Sequence, residues 1–149
     1  MSKPSAPGST EPTQAPSPAR LLLAEDDFEL RELLACVLRA DGHEVVEASD
    51  GNELWALLDR EKGAEGRAPF SLVVSDVRMP GLTAFDVLTR LQCALDETPV
   101  ILITAFGDQT THLRAQRLGA SRVLDKPFDC DELRDAVLDT LHRRTRHAS

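Results

Sequence analysis

The chain is short of several things, and each shortage argues against a class of protein. It has 3 cysteines in 149 residues, Cys36, Cys93 and Cys130, far apart and with no C-x-x-C spacing. That argues against a disulfide framework or a thiolate metal site and fits a reducing compartment, with the thiols as small core residues or surface bystanders. No stretch approaches the roughly 18 apolar residues of a membrane span. The N-terminus lacks the apolar h-region of a secretory signal. A cytoplasmic protein without membrane association is expected. Positive charge is also scarce, with 17 Lys and Arg against 25 Asp and Glu. Lys3, Arg20, Arg143, Arg144 and Arg146 lie at the ends, leaving 12 basic and 24 acidic residues from Leu21 to His142. Such a body repels nucleic acid phosphates, so no direct nucleic acid contact is expected.

Five of the 9 prolines fall in the first twenty residues, which hold no large apolar residue except Met1. Residues 1–19 cannot build a core and read as a disordered Pro/Ser-rich leader. Residues 20–142 are one domain's worth of chain, with 42% hydrophobic residues overall. Residues 143–149 form a basic tail read as flexible, its cations suited to the negative end of a helix dipole.

The domain is organised around Phe70-Ser71-Leu72-Val73-Val74-Ser75-Asp76, which is followed by the turn residues Met79-Pro80-Gly81. Its apolar run lacks period-2 alternation, as in a parallel strand covered on both faces; a short buried helix gives the same signal. Leu21-Leu22-Leu23-Ala24 repeats the pattern and ends in Glu25-Asp26-Asp27. Glu44 to Ala48, Pro99 to Ile103, and Val123-Leu124 are further strand candidates. Helical spacing fills the gaps. It runs through Phe28, Leu30, Leu33, Leu34, Val37 and Leu38, capped by Asp26 or Asp27 and stopped at Gly42. It recurs through Leu54, Trp55, Leu57 and Leu58, through Phe85, Val87, Leu88 and Leu91, and from about Asp108 to Leu118. Asp129 and Glu132 form a D-x-x-E capping box before Leu133, Ala136, Val137 and Leu141. Glu61 to Pro69 reads as a polar loop. Trp55 reads as core or helix-packing surface. Strand and helix alternate five times, which predicts an α/β fold with a doubly wound parallel sheet and right-handed crossovers.

In such sheets ligands bind outside the carboxyl ends of the strands. Four of the strands deliver a polar residue there: Glu25 with Asp26, Asp76, Thr104 and Lys126. Taken singly, each has an ordinary explanation as a cap, a turn former or a solvated amine. On one edge they form a chemical set. Three neighbouring carboxylates repel one another unless a cation or a proton relieves them, and hard oxygen ligands suit Mg²⁺. An Asp76 carboxylate can attack phosphorus to give an aspartyl phosphate. The Lys126 ammonium and the Thr104 hydroxyl would supply charge and donors to the transferring oxygens.

Four motifs in order resemble the receiver domain of two-component response regulators: Leu22-Leu23-Ala24-Glu25-Asp26-Asp27; Val73-Val74-Ser75-Asp76-Val77-Arg78-Met79-Pro80-Gly81; Ile101-Leu102-Ile103-Thr104-Ala105; and Leu118-Gly119-Ala120 with Asp125-Lys126-Pro127-Phe128. The resemblance covers roughly Arg20 to His142. It implies a flavodoxin-like (βα)5 fold with strand order 2-1-3-4-5. It implies that Asp76 is the phosphoacceptor, served by a sensor histidine kinase or a histidine phosphotransfer protein. By the same resemblance Mg²⁺ is held by Asp26, by Glu25 largely through water, by Asp76 and by the backbone carbonyl of Arg78. Thr104 with Ala105 and Lys126 would bind the phosphoryl group and work the switch. The readout face would be the fourth helix, fifth strand and fifth helix, including Arg114, Gln116, Arg117 and Arg122, gripping an effector or a second copy.

Some positions depart from the family pattern. Leu82-Thr83-Ala84 stands where many receivers read Met-Asp-Gly, which alters the turn into the third helix. Val123 stands where an aromatic often accompanies the switch threonine. Arg78 and Phe106 occupy positions that tune hydrolysis of the acyl phosphate, and neither offers a carboxamide or carboxylate to align water. Slow self-dephosphorylation is expected. The chain resembles an Asp-nucleophile phosphatase less, because such enzymes place a general acid two residues after the nucleophile and Arg78 stands there. An inert interaction module of the same fold would lack site residues that are all present here. Thr104 to Asp108 and Asp125 to Phe128 resemble receivers joined to ATPase and DNA-binding modules. No Walker motif or helix-turn-helix occurs within the 149 residues. The leader, starting at Met1, favours a native start, and the C-terminal end fits a chain acting alone or one cut from something longer.

Overall fold

Five short strands set the architecture, three of them apolar enough to be covered on both sides. The structure is a computed structural model that describes residues 19–60, 69–105 and 109–148, with side chains through residue 143. The elements run β1 (Arg20–Ala24), α1 (Phe28–Ala40), β2 (Glu44–Ala48), α2 (Gly51–Arg60), β3 (Leu72–Asp76), α3 (Ala84–Cys93), β4 (Val100–Thr104), α4 (Gln109–Arg117), β5 (Arg122–Asp125) and α5 (Cys130–Ala148). All four pairings are parallel, in the order β2-β1-β3-β4-β5. This is the expected flavodoxin-like arrangement. Residues 1–18 of the leader, most of the polar loop after Arg60, Phe106 and Asp108 lie outside the described residues.

The central strand β3 and its neighbour β4 are buried at every position. Successive side chains alternate between faces, so each strand feeds two cores. Leu22, Val73 and Leu102 pack with Leu54, Leu58, Val87 and Leu88 of α2 and α3 on one face. Leu21, Leu23, Val74, Ile101 and Ile103 pack with Leu34, Leu38, Leu133 and Val137 of α1 and α5 on the other. The missing alternation in the sequence is thereby explained. Burying each such side chain contributes roughly 1.5–3 kcal/mol before the entropy of ordering is counted.

The helix ends follow local chemistry. Asp27, not Asp26, caps α1, accepting from the Leu30 N–H at 3.0 Å. Asp129 and Glu132 form the reciprocal box that opens α5. Thr83, part of the departure from the family pattern, caps α3 and forms a capping box with Asp86. The α1 face differs from its apolar pattern, because Phe28 is 61% exposed and Leu33 52% exposed. Trp55 is partly buried under the Arg90 guanidinium, 5.4 Å from its ring centre, and so helps seat α2 against α3. Helix α5 continues to Ala148, so His142 is not an element boundary, and Arg143 pairs with Asp139 at 3.0 Å one turn back. Cys36 and Cys93 are exposed and Cys130 is half-buried.

The turn beyond β3 is pinned from α2. Gly81 adopts φ +80°, which a side chain resists, and the Leu82 N–H donates to Asn52 Oδ1 at 3.3 Å. A Cβ on Gly51 would collide with the Leu82 carbonyl, and the Gly51 N–H donates to the Pro80 carbonyl at 3.2 Å. The segment after Asp76 is therefore a fixed corner.

Candidate functional site

Asp76 ends the central strand of the sheet and is 6% exposed. The register pairs Ala24 with Ser75, so Glu25 and Asp76 fall side by side one step further on. On the other flank Thr104 pairs with Asp125, and the Lys126 N–H continues the ladder to the Thr104 carbonyl at 2.8 Å. Strand register alone thus brings the β1, β3, β4 and β5 ends to one edge. Among the described residues the carboxylates of Glu25, Asp26 and Asp76 form a cluster whose ligand atoms lie within 4.8 Å of one another.

Each oxygen of Asp76 has a donor. Oδ2 accepts from Lys126 Nζ at 2.8 Å, and Oδ1 accepts from the Arg78 N–H at 2.9 Å. Glu25 is 1% exposed. Its Oε2 accepts from the Asp27 N–H at 3.1 Å, whereas Oε1 is buried without a hydrogen bond and lies 3.7 Å from Lys126 Nζ. An orphaned carboxylate oxygen is costly to bury, and a cation among three acids would satisfy it. The donor set fits a hard divalent ion such as Mg²⁺, and the exposure of Asp26 leaves the cluster open to solvent on one side.

The electrostatics agree. Burial, the largest influence, pushes the Glu25 carboxyl up to about 7; the Asp27 N–H opposes it, the neighbouring Asp76 carboxylate adds to it, and Lys126 opposes it. For the Lys126 amine burial works to lower the pKa. The hydrogen bond and charge of Asp76, with Glu25, outweigh burial and hold it above the ordinary lysine range. Asp76 and Lys126 form a charge-assisted pair in a half-dry pocket.

Thr104 is 5% exposed at the end of β4, where its hydroxyl donates to the Ala105 carbonyl at 3.3 Å. Ala105 comes next, exposed. At Arg78 the contact to Asp76 is the backbone N–H, and the side chain is exposed. Phe106 lies outside the described residues. On the flank of the site, His112 of α4 meets Asp125 of β5 at 2.8 Å, and Arg122 meets Asp139 of α5 at 3.1 Å. A shallow cleft between α4 and β5 is lined by His112, Gln116, Ser121 and Arg122.

One contact at the site has no counterpart in the sequence pattern. Arg31 of α1 donates to the Glu25 carbonyl at 2.6 Å and to Glu47 Oε1 of β2 at 3.2 Å. A lone arginine four residues into a helix carries no sequence signal for that role.

A sheet of this order with acids and a lysine at its carboxyl edge defines a doubly wound α/β domain with an acidic, cation-ready pocket. The chain belongs to the response regulator receiver domain family, whose sequence model matches residues 21–138. It is 39% identical over 119 residues to response regulator protein FleR of Pseudomonas aeruginosa, covering 80% of this chain and 24% of FleR. It is 30% identical over 118 residues to sporulation initiation phosphotransferase F of Bacillus subtilis, covering 79% of this chain and 90% of that one. The crystal structure of a response regulator receiver domain protein from Clostridium thermocellum matches with a TM-score of 0.75 at 25% identity, covering 85% of this chain and 97% of that one. The chain thus spans about a quarter of FleR and most of phosphotransferase F.

Proposed function

We propose that the protein is a phosphorylation-controlled switch in which Asp76 takes a phosphoryl group from a phosphohistidine of a sensor kinase or phosphotransfer protein. One observation carries this reading: Glu25, Asp26 and Asp76 converge on one pocket with the Lys126 ammonium 2.8 Å from Asp76 Oδ2. Membership of the receiver family supports it.

Asp26, Asp76 and the Arg78 carbonyl would hold Mg²⁺, with Glu25 acting largely through water. When bound, the ion neutralises the crowded carboxylates and the phosphoryl oxygens. An Asp76 oxygen forms the new O–P bond while the P–N bond of the donor breaks, and the imidazole nitrogen keeps that electron pair. The fixed corner at Gly81 and the Arg78 N–H hold the carboxylate in place for attack. Lys126 stays beside the site and pairs with a transferred oxygen. Thr104 exchanges its long bond to Ala105 for a phosphoryl oxygen, and the segment after β4 moves with it. The change is read on the face of α4, β5 and α5, by an effector or a second copy. Arg78 and Phe106 leave the acyl phosphate without a water-aligning group, so it hydrolyses slowly. No helix among the described residues is long and apolar enough to cross a membrane; a cytoplasmic site of action is part of this proposal.

Incubating the chain with Mg²⁺ and a small phosphodonor tests the reading by intact mass. A gain of one phosphoryl group is expected, lost when Mg²⁺ is chelated; no gain at saturating Mg²⁺ would favour an inert module.

Glu25 adds a pH signature. Its native pKa is raised from 4.5 to about 7, so in that window the folded chain holds a proton that the unfolded chain has released. Without metal, the stabilisation is complete below the unfolded value and is lost as pH rises through the native one. Mg²⁺ needs the ionised form, so its affinity should fall by up to about tenfold per pH unit below the native pKa. Thermal melts at about pH 5.5 and about pH 8 check this: the stabilisation by added Mg²⁺ should be clearly larger at the higher pH. An equal shift at both would contradict the role of Glu25.

A further inference from the structure

We propose that Arg31 is a positioning residue of the metal site, a clamp that sets the direction of Asp26 from outside the coordination shell. The proposal rests on the Mg²⁺ reading above. Asp26 is the one exposed member of the acid cluster and sits past the end of β1. The β1–β2 connection reaches only as far as the Glu25 N–H, which donates to the Ala48 carbonyl at 3.1 Å. The next peptide, between Glu25 and Asp26, must be held from elsewhere. The Glu25 carbonyl and the Asp26 N–H share one planar peptide unit, so fixing that carbonyl fixes the plane from which the Asp26 side chain departs.

Arg31 supplies the fixation. Its Nη1 donates to the Glu25 carbonyl at 2.6 Å, a short bond from a charged donor, and its side chain is 13% exposed. The guanidinium is itself oriented. Its Nε pairs with Glu47 Oε1 at 3.2 Å, Glu47 Oε2 is held by Arg39 at 3.1 Å, and the group lies 5.5 Å from the Phe28 ring centre. A chain of contacts therefore runs from the α1 surface through β2 to the peptide preceding Asp26. The planar fork matters, because one group must meet a carbonyl and a carboxylate in two directions; a lysine ammonium on a flexible stem does this poorly. Glu47 and Arg31 lie outside the acid cluster, so their influence on the ion would be through orientation, as for residues that support metal ligands elsewhere.

The test is Mg²⁺ titration calorimetry on the full chain, with metal-free melting curves of the same samples. For Arg31→Ala the Mg²⁺ dissociation constant should rise about tenfold. Arg31→Lys should fall between it and the native chain, and Glu47→Gln, which keeps an acceptor but loses the charge, should weaken binding severalfold. A merely structural arginine would lower the melting temperature and leave the Mg²⁺ constant within twofold of native; that result overturns the proposal. If Arg31→Ala does not fold, Arg31→Lys and Glu47→Gln decide, and native affinity in both overturns it. A native chain that binds no Mg²⁺ overturns the metal reading and the clamp with it. Native binding with unchanged variants overturns the clamp alone.

Discussion

Asp76→Asn is expected to take up no phosphoryl group under conditions in which the native chain gains one. The carboxamide keeps the size of the carboxylate and can still meet the Arg78 N–H, but it has no anionic oxygen to attack phosphorus. The fold should survive, since the packing around β3 is unchanged and one of three crowded acids is removed. A second readout accompanies the loss. Burial dominates the raised Glu25 pKa, but the Asp76 carboxylate beside it contributes, so the variant should let Glu25 titrate part of the way back toward 4.5. Intact mass and the pH dependence of Mg²⁺ binding check both halves. A mass gain equal to the native one would move the acceptor to another residue.

Lys126→Ala is expected to slow phosphoryl uptake by roughly a hundredfold or more at saturating Mg²⁺, the scale seen when one preorganised donor is taken from a developing anion. The ammonium lies 2.8 Å from Asp76 Oδ2 and 3.7 Å from Glu25 Oε1. Removing it also strips a buried carboxylate of its partner. The metal-free variant should therefore melt lower, by about 1–3 kcal/mol of stability, with part of the loss restored by Mg²⁺. Lys126→Arg should recover little of the rate, because a planar fork does not replace a compact point charge. Initial rates of mass gain decide the matter; a native rate in Lys126→Ala would remove the lysine from the chemistry.

The strands were legible because their signal is crude and strong. Leu72 to Val74 and Val100 to Ile103 are apolar at consecutive positions, and only burial on both faces uses such a run in a strand. The polar residue that ends each run was legible for the same reason, since it interrupts an apolar pattern. Finer features depend on geometry that composition does not carry. Asp26 and Asp27 are equally good caps on paper, and only the backbone at Asp27, φ −76° and ψ 113°, decides between them. Phe28 and Leu33 fit the helical apolar pattern of α1, yet they stand at its exposed margin while Leu34, Ala35 and Leu38 face the sheet. The Lys126–Pro127 bond is cis, and nothing in the residues Lys-Pro distinguishes it from the far commoner trans form. Nor could the sequence reveal that the Thr104 hydroxyl rests on the Ala105 carbonyl, or that Arg31 reaches back to Glu25. Those are products of packing across elements distant in the chain.

In the proposed switch, acids from the ends of β1 and β3 surround one cation beside Lys126. Its most direct test is anomalous scattering from crystals grown with Mn²⁺ in place of Mg²⁺. A strong peak is expected within coordinating distance of the Asp26 and Asp76 carboxylates, with Glu25 beside it. A crystal saturated with Mn²⁺ whose peaks all lie elsewhere, leaving the Glu25 Oε1 oxygen still without a partner, would contradict it.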